Sequence, residues 1–260
     1  MTTPPGHKPE YRRMFPLRDD NPHFLTPYTT YFLIALNVLA WVFVQGLGME
    51  PRLGASVCTL GLVPGELLQT LAAGTSFEIG PGVSCVLTDS PNWLTPLTSM
   101  FMHGGWLHII GNLWFLWIFG NNVEDSMGHW RFLAFYLLCG LGAAAVQILS
   151  DPDSGIPMVG ASGAIGGVMG AYVLLYPRVK VEMLLFLGFY VTTFAVPAYW
   201  MLGYWFVAQL IGGVGSIGAH GGGVAFWAHV GGFLAGAVLV LIFRDPALVA
   251  RHPNHGWSRP

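Results

Sequence analysis

What most limits the folds open to this chain is the way its apolar residues run together. Six long apolar stretches, at residues 31–48, 103–120, 130–149, 162–176, 184–212 and 224–243, leave Lys, Arg, Asp and Glu between them, apart from Arg131 at the start of the third. A charge at the centre of a bilayer costs about 3 kcal/mol or more, so this segregation is the pattern of membrane spans and loops. Only 9% of residues are charged and 53% are hydrophobic, against the roughly 25% charged of a soluble domain. The expected fold is an all-α membrane protein, a bundle of six transmembrane helices with a long outer loop between the first two. No basic patch points to nucleic acid, and a net charge of -2 says nothing about protein partners; the lipid bilayer is the partner that composition demands.

Residues 1–30 hold Pro4, Pro5, Pro9, Pro16, Pro22 and Pro27 among Lys8, Arg12, Arg13 and Arg18. They lack the short apolar core of a cleaved signal, so they read as a retained N-terminal tail, with residues 31–48 as an anchoring span of about 27 Å. Loop 49–92 is too long for a plain connection and is expected to be packed; its piece Pro64-Gly-Glu-Leu-Leu-Gln-Thr-Leu-Ala-Ala73 is amphipathic, as interfacial segments are. Residues 121–129 read as a short charged turn, 184–212 as a fifth span with an irregular entry near Pro197, 212–223 as a glycine-rich loop and 244–260 as a C-terminal tail. Six spans put both termini on one side. Ten of the eleven basic residues fall there, Arg52 being the exception, which makes that side cytoplasmic. The expected location is a multi-pass position in a membrane, most simply a bacterial inner membrane.

Within the fourth stretch, Val159-Gly-Ala-Ser162-Gly-Ala-Ile-Gly-Gly-Val-Met-Gly170 opens a helix of small residues with one serine; within the sixth, Phe226-Trp-Ala-His229-Val-Gly-Gly-Phe-Leu-Ala-Gly236 carries one histidine. The fifteen residues from Ser162 to Tyr176 make about 22 Å of helix against a hydrocarbon core of about 30 Å, which sets Ser162 roughly 8 Å below the outer surface. His229 and His108, each five residues into its own span, lie about 7 Å down. Asn112 shares the His108 face one turn deeper. The segment before Ser162 then enters the membrane as non-helical backbone, which is tolerated only inside protein or along water, so an outward-open aqueous cavity is expected. Gly163, Gly166, Gly167 and Gly170 facing Ala225, Gly232 and Gly236 allow the two helices to approach closely. Taken alone, Gly-Ala-Ser-Gly reads as ordinary helix packing with a serine N-cap; the shared depth of three further polar side chains argues for chemistry.

A serine hydroxyl is a weak nucleophile until a base removes its proton, and neutral imidazole is the usual base near pH 7. Ser162 is thus the candidate nucleophile and His229 the candidate base. The nearest carboxylates, Glu124, Asp125, Asp151, Asp153 and Glu182, sit at ends or turns, so the pair is a dyad without an acid. The backbone N–H of Ser162 at a helix start, with His108 and Asn112, are candidate donors to an oxyanion. No metal is expected at His103, His108, His129, His220 or His229, because there is no His-Glu-x-x-His and no nearby carboxylate; no cofactor is implied. His103 reads as a loop-ordering residue. Cys58 and Cys85 share the outer loop, where a disulfide is expected if the outside is oxidising, and Cys139 reads as a small core residue.

These residues resemble the rhomboid family of intramembrane serine proteases. The likeness is carried by Met14-Phe-Pro-Leu-Arg-Asp-Asp-Asn-Pro22, by Trp93-Leu-Thr-Pro-Leu-Thr-Ser-Met-Phe-Met-His103-Gly-Gly-Trp-Leu-His108-Ile-Ile-Gly-Asn112, by Gly160-Ala-Ser162-Gly and by Ala228-His229-Val-Gly-Gly232. The resemblance implies Ser162 as nucleophile, His229 as general base, and His108, Asn112 and Gly160 on the oxyanion and substrate side. It implies as substrates membrane proteins with a transmembrane helix, cut near the helix's outer end, and the fifth span as the lateral gate. Two positions depart from the family. Gly166 stands where an aromatic ring often stacks on the histidine, and the outer loop lacks the Trp-Arg pair of some members. The competing functions are a rhomboid-like pseudoprotease that binds client helices without cutting, and a transporter or channel, which would place charge at the midplane. Oligomeric state is not legible.

Overall fold

The computed structural model of the protein describes residues 14–187, 190–217 and 223–256. Strand β1 (Met14–Asp19) is followed by helix α1 (Tyr28–Leu39), which runs into a π-helical turn at Ala40–Val44. The outer loop folds into α2 (Arg52–Leu60), the single turn α3 (Pro64–Leu67), a hairpin of β2 (Ser76–Gly80) and β3 (Val83–Val86), and the single turn α4 (Thr95–Thr98). The long helices α5 (Trp106–Met127), α6 (His129–Ser150) and α7 (Ser162–Leu175) come next, then a hairpin of β4 (Lys180–Leu187) and β5 (Tyr190–Pro197). Helices α8 (Ala198–Gly215) and α9 (Phe226–Phe243) and the turn α10 (Pro246–Val249) complete the described chain. Among the described residues, α6 and α9 are long and apolar enough to cross a membrane, while Tyr28–Val44 and Ser162–Leu175 are apolar but shorter.

The centre of the molecule is the contact of α7 with α6 and α9, and glycine makes it. A Cβ on Gly232 would overlap the carbonyl of Gly163, and one on Gly236 that of Gly167. The two backbones therefore touch at two levels one turn apart, with glycine on both sides. On its other flank α7 meets α6, where Gly167 faces Cys139 and Gly163 faces Ala143. Cys139 is fully buried. Between lipid-solvated helices such contact is favoured by dispersion and by close fit, because hydrocarbon already solvates Leu as well as protein does.

The packed elements gather at two ends. At one, the carboxylate of Glu124 in the last turn of α5 accepts the backbone N–H groups of Thr29 and Thr30, both at 2.8 Å, and so caps the start of α1. Its neighbour Asp125 accepts from the N–H groups of Phe24 and Leu25 at 2.7 and 2.8 Å and lies 2.9 Å from His252 Nε2. The three-stranded sheet, in the antiparallel order β1-β4-β5, lies at the same end, joined through Asp20 N–H to the Lys180 carbonyl. At the other end the outer loop is pinned by paired backbone hydrogen bonds between Leu62 and Met158. The Gln45 amide both donates to and accepts from the backbone of His103, each at 2.8 Å, and a disulfide joins Cys58 to Cys85.

Several expectations are corrected. The chain is mostly helical, but among the described residues five strands also form two sheets, so it is not all-α. Residues 184–187 and 190–197, expected as the entry to a span, belong to the paired strands β4 and β5. Val191, Thr192, Thr193, Phe194 and Val196 suit a pleated surface, and hydropathy alone does not separate an apolar strand from part of an apolar helix. The expected turn at 121–129 is helical on both sides: α5 continues to Met127, and the chain breaks only at Gly128, whose φ of 79° other residues rarely adopt. Within the expected tails, residues 14–19 form a paired strand and residues 246–249 a single helical turn. The amphipathic piece at Pro64 makes one helical turn with Leu67 buried against the protein. Helix α8 runs on to Gly215; Lys8, Arg12, Arg13, Arg259 and His220 lie outside the described residues.

Candidate active site

Ser162 is the first residue of α7, reached by non-helical backbone through Val159 and Gly160. Its Oγ lies 2.7 Å from Nε2 of His229, in the first turn of α9. The approach of the two helices at Gly163 and Gly232, one residue and three residues further along, lets two short side chains meet. Gln147 of α6 steadies the second partner, its amide oxygen accepting the N–H of Ala228 at 3.2 Å. That N–H belongs to the first turn of α9 and has no intrahelical acceptor.

His108 approaches from α5. Its Nδ1 accepts the backbone N–H of Gly104 at 3.2 Å, so in the neutral ring the proton sits on Nε2. Gly160 separates that nitrogen from the serine: a Cβ there would lie 2.7 Å from His108 Nε2 and 3.4 Å from Ser162 Oγ. With φ of 128°, Gly160 holds a backbone shape that side chains disfavour, and its N–H is fixed on the Ser99 carbonyl at 2.9 Å. Asn112 is buried one turn along α5, with Nδ2 donating to the His108 carbonyl at 2.9 Å. His108, Asn112, Ser162 and His229 all line one cavity of about 930 Å³, which Val83 and Pro81 of the outer hairpin border from above.

Two residues absent from the sequence expectations also meet the histidine. Gln209 of α8 places Oε1 2.7 Å from His229 Nδ1, and the Trp205 ring lies 5.7 Å from the imidazole, tilted by 37°. A polar side chain inside the apolar run Trp205-Phe-Val-Ala-Gln209 was the available signal, since polar residues in spans face protein or water. His103 is turned to other work, its backbone locked to Gln45, and His129 pairs with Glu124 at the far end of the molecule at 2.6 Å.

A bundle of apolar helices in which a serine and a histidine from adjacent helices share a hydrogen bond at the wall of a cavity defines the class. Residues 90–246, more than half of the chain, match the family model for the rhomboid domain. The chain belongs to the rhomboid family and is a helical integral membrane protein. It is 35% identical over 158 residues to Rhomboid-like protein 11, chloroplastic, of Arabidopsis thaliana, covering 58% of this chain and 52% of that protein. It is 31% identical over 215 residues to Rhomboid protease GluP of Bacillus subtilis, covering 83% of this chain and 35% of that protein. To Rhomboid protein 1, mitochondrial, of Saccharomyces cerevisiae it is 27% identical over 146 residues, 54% of this chain and 39% of that protein. The chain thus spans about half or less of the length of these relatives. Because they are named for chloroplast and mitochondrion as well as found in a bacterium, family membership does not single out the bacterial inner membrane expected from the sequence.

Proposed function

We propose that this protein is an intramembrane serine endopeptidase that cuts transmembrane helices of other membrane proteins near their outer ends. The observation that carries the reading is the 2.7 Å contact of Ser162 Oγ with His229 Nε2 in the cavity that His108 and Asn112 also line. In the proposed reaction Ser162 Oγ attacks the scissile carbonyl carbon as its proton passes to His229 Nε2. The carbonyl oxygen takes up the negative charge, facing the Ser162 backbone N–H, the His108 Nε2–H and the second hydrogen of the Asn112 amide. The intermediate then collapses: the C–N bond breaks, the proton on His229 goes to the leaving amine, and an acyl-serine is left. Water from the cavity, deprotonated by the same imidazole, attacks the ester and releases Ser162. A peptide bond inside a stable helix is shielded by its own hydrogen bonds, so a helix end that unwinds is the expected target.

The six helices α1, α5, α6, α7, α8 and α9 are proposed to cross the membrane, with α8 standing where substrate enters. Both termini are assigned to the cytoplasmic side by the basic residues, together with the sheet β1-β4-β5 and the Glu124–Asp125 cluster.

Labelling by a fluorescent fluorophosphonate, which reacts with activated serines and needs no known substrate, tests the reading. Wild-type protein in lipid should label, and Ser162→Ala and His229→Ala should not while retaining the same melting behaviour. A folded wild type that does not label would leave a non-cutting binder of membrane helices as the better account.

A further inference from the structure

The dyad as read from the sequence has nothing to hold its base. A histidine that works through Nε2 must carry its other proton on Nδ1, and an imidazole free to rotate or to change tautomer presents Nε2–H, which cannot accept from serine. The usual solution is a hydrogen-bond acceptor at Nδ1, yet the group that meets Nδ1 here is not a carboxylate: Glu50 and Glu78 line the same cavity, Glu50 accepting the Gly54 N–H, and Glu124 and Asp125 are at the opposite end, bonded to α1 and to residues 24 and 25. A ring stacked from α7 is not an option either. The residue four beyond Ser162 is Gly166, where a Cβ would come within 3.1 Å of the His229 carbonyl and 3.4 Å of the Phe233 nitrogen.

The structure assigns this task to α8. We propose that Gln209 is the positioning residue of the site: its amide oxygen accepts Nδ1–H of His229, fixing the tautomer whose Nε2 lone pair faces Ser162. Trp205, one turn earlier on the same face of α8, supplies the aromatic contact that Gly166 cannot. The spacing is what a helix requires, because residues four apart stand one above the other. The geometry fits on both sides. Oε1 lies 2.7 Å from Nδ1, and the Trp205 ring reaches to 3.7 Å from the place a Gly166 side chain would start. The ring therefore occupies the volume left open on α7. This inference rests on the reading of Ser162 and His229 as nucleophile and base and deepens it. The support of the base thus comes from α8 and not from the helix that carries the serine. Helix α8 is lightly anchored: of its eighteen residues, Ala198, Met201, Leu202 and Gly213 are buried. The base is thus in register while α8 is docked.

Two readouts test this, one of which needs no catalysis. Histidine-selective 15N NMR, assigned by difference from His229→Gln, reports directly which ring nitrogen of His229 bears the proton. The pH dependence of the fluorophosphonate labelling rate reports the base at work. In the wild type His229 should be protonated on Nδ1 and bare on Nε2. Gln209→Leu, which keeps bulk and loses the acceptor, should populate the Nε2–H form and slow labelling by about tenfold or more, as loss of tautomer control does in serine hydrolases, with unchanged melting. Gln209→Glu keeps the acceptor: it should restore Nδ1–H and label faster than Gln209→Leu, and its carboxylate should move the acidic limb of the profile to higher pH by favouring the imidazolium. Trp205→Ala should slow labelling and Trp205→Phe should recover much of it. A wild-type His229 protonated on Nε2, or a folded Gln209→Leu with wild-type tautomer and labelling rate, overturns the proposal. A wild type with Nδ1–H that never labels would instead overturn the protease reading while leaving the Gln209 contact in place.

Discussion

At the scale of single residues, the donors around Ser162 are unequal. His108 is oriented by the Gly104 N–H at its far nitrogen, so its Nε2–H is aimed before any substrate arrives. Asn112 already spends one amide hydrogen on the His108 carbonyl and offers only the other. In the proposed reaction its share in holding an oxyanion is therefore the smaller, and Asn112→Ala should slow cleavage without abolishing it, by at most the hundred- to thousandfold, about 3–4 kcal/mol, that one good donor contributes. Turnover rates of a reporter substrate would check this, and an unchanged rate would remove Asn112 from the site. Ser162, His229 and His108 were legible because each is a polar side chain in an apolar run at a common depth, and Asn112 because it shares the His108 face one turn deeper. Gln209 obeys the same rule and was passed over because its run also holds a hairpin: read as one span of 29 residues from 184 to 212, it gave no starting point from which to count depth. Trp205 gives no signal of its own, as an aromatic residue in an apolar helix is ordinary.

At the scale of elements, the site depends on how closely α7 and α9 approach, and glycine sets that distance. Because a methyl at Gly232 would strike the Gly163 carbonyl and one at Gly236 the Gly167 carbonyl, neither clash is with a side chain that can turn away. Gly232→Ala and Gly236→Ala should each push the helices apart, costing about 1–3 kcal/mol or more. Thermal melts in detergent should show the lowered stability. Fluorophosphonate labelling should fall further in Gly232→Ala, whose clash lies within a turn of Ser162, than in Gly236→Ala; equal labelling and melting to wild type in both would show that the approach is looser than described. The small-residue faces were visible in the sequence as repeats of glycine every three or four residues. The strands were not. In β5 the exposed and half-buried residues alternate, from Val191 to Val196, but Val, Thr and Phe are also tolerated in a transmembrane helix. What decides for a strand is its antiparallel pairing with β4, which in turn pairs with β1, Leu185 lying opposite Met14.

At the scale of the whole molecule, the N-terminal strand, the β4–β5 hairpin and the residues after α9 are tied to the ends of α5 and α7, so the bundle is closed at the end opposite the site. One of these ties titrates. Asp19 of β1 accepts a hydrogen bond from the Tyr172 hydroxyl of α7, and burial raises its carboxyl from 3.8 to about 6, with the Tyr172 bond partly opposing the rise. Below about pH 4 folded and unfolded chains both hold this proton. Between there and about pH 6 the folded chain holds it and the unfolded chain has released it, so stability falls as pH rises through that window. Melting temperatures of wild type and Asp19→Asn, taken from pH 4 to pH 7, should diverge accordingly, the wild type losing ground to the variant as pH increases; parallel curves would mean that Asp19 titrates alike in both states. The closed end was invisible in the sequence, because Glu124 and Asp125 look like a charged turn until Thr29, Thr30, Phe24 and Leu25 are seen to supply their hydrogen-bond donors.

At the centre is the proposed cleavage of a peptide bond within the membrane by Ser162. Its most direct test is co-reconstitution of the full chain in liposomes with a panel of single-span membrane proteins, followed by mass spectrometry of the products. The wild type should yield fragments whose new termini fall in the outer third of a substrate helix, and Ser162→Ala should yield none. Substrates left intact by a folded wild type, or the same fragments from Ser162→Ala, would contradict it.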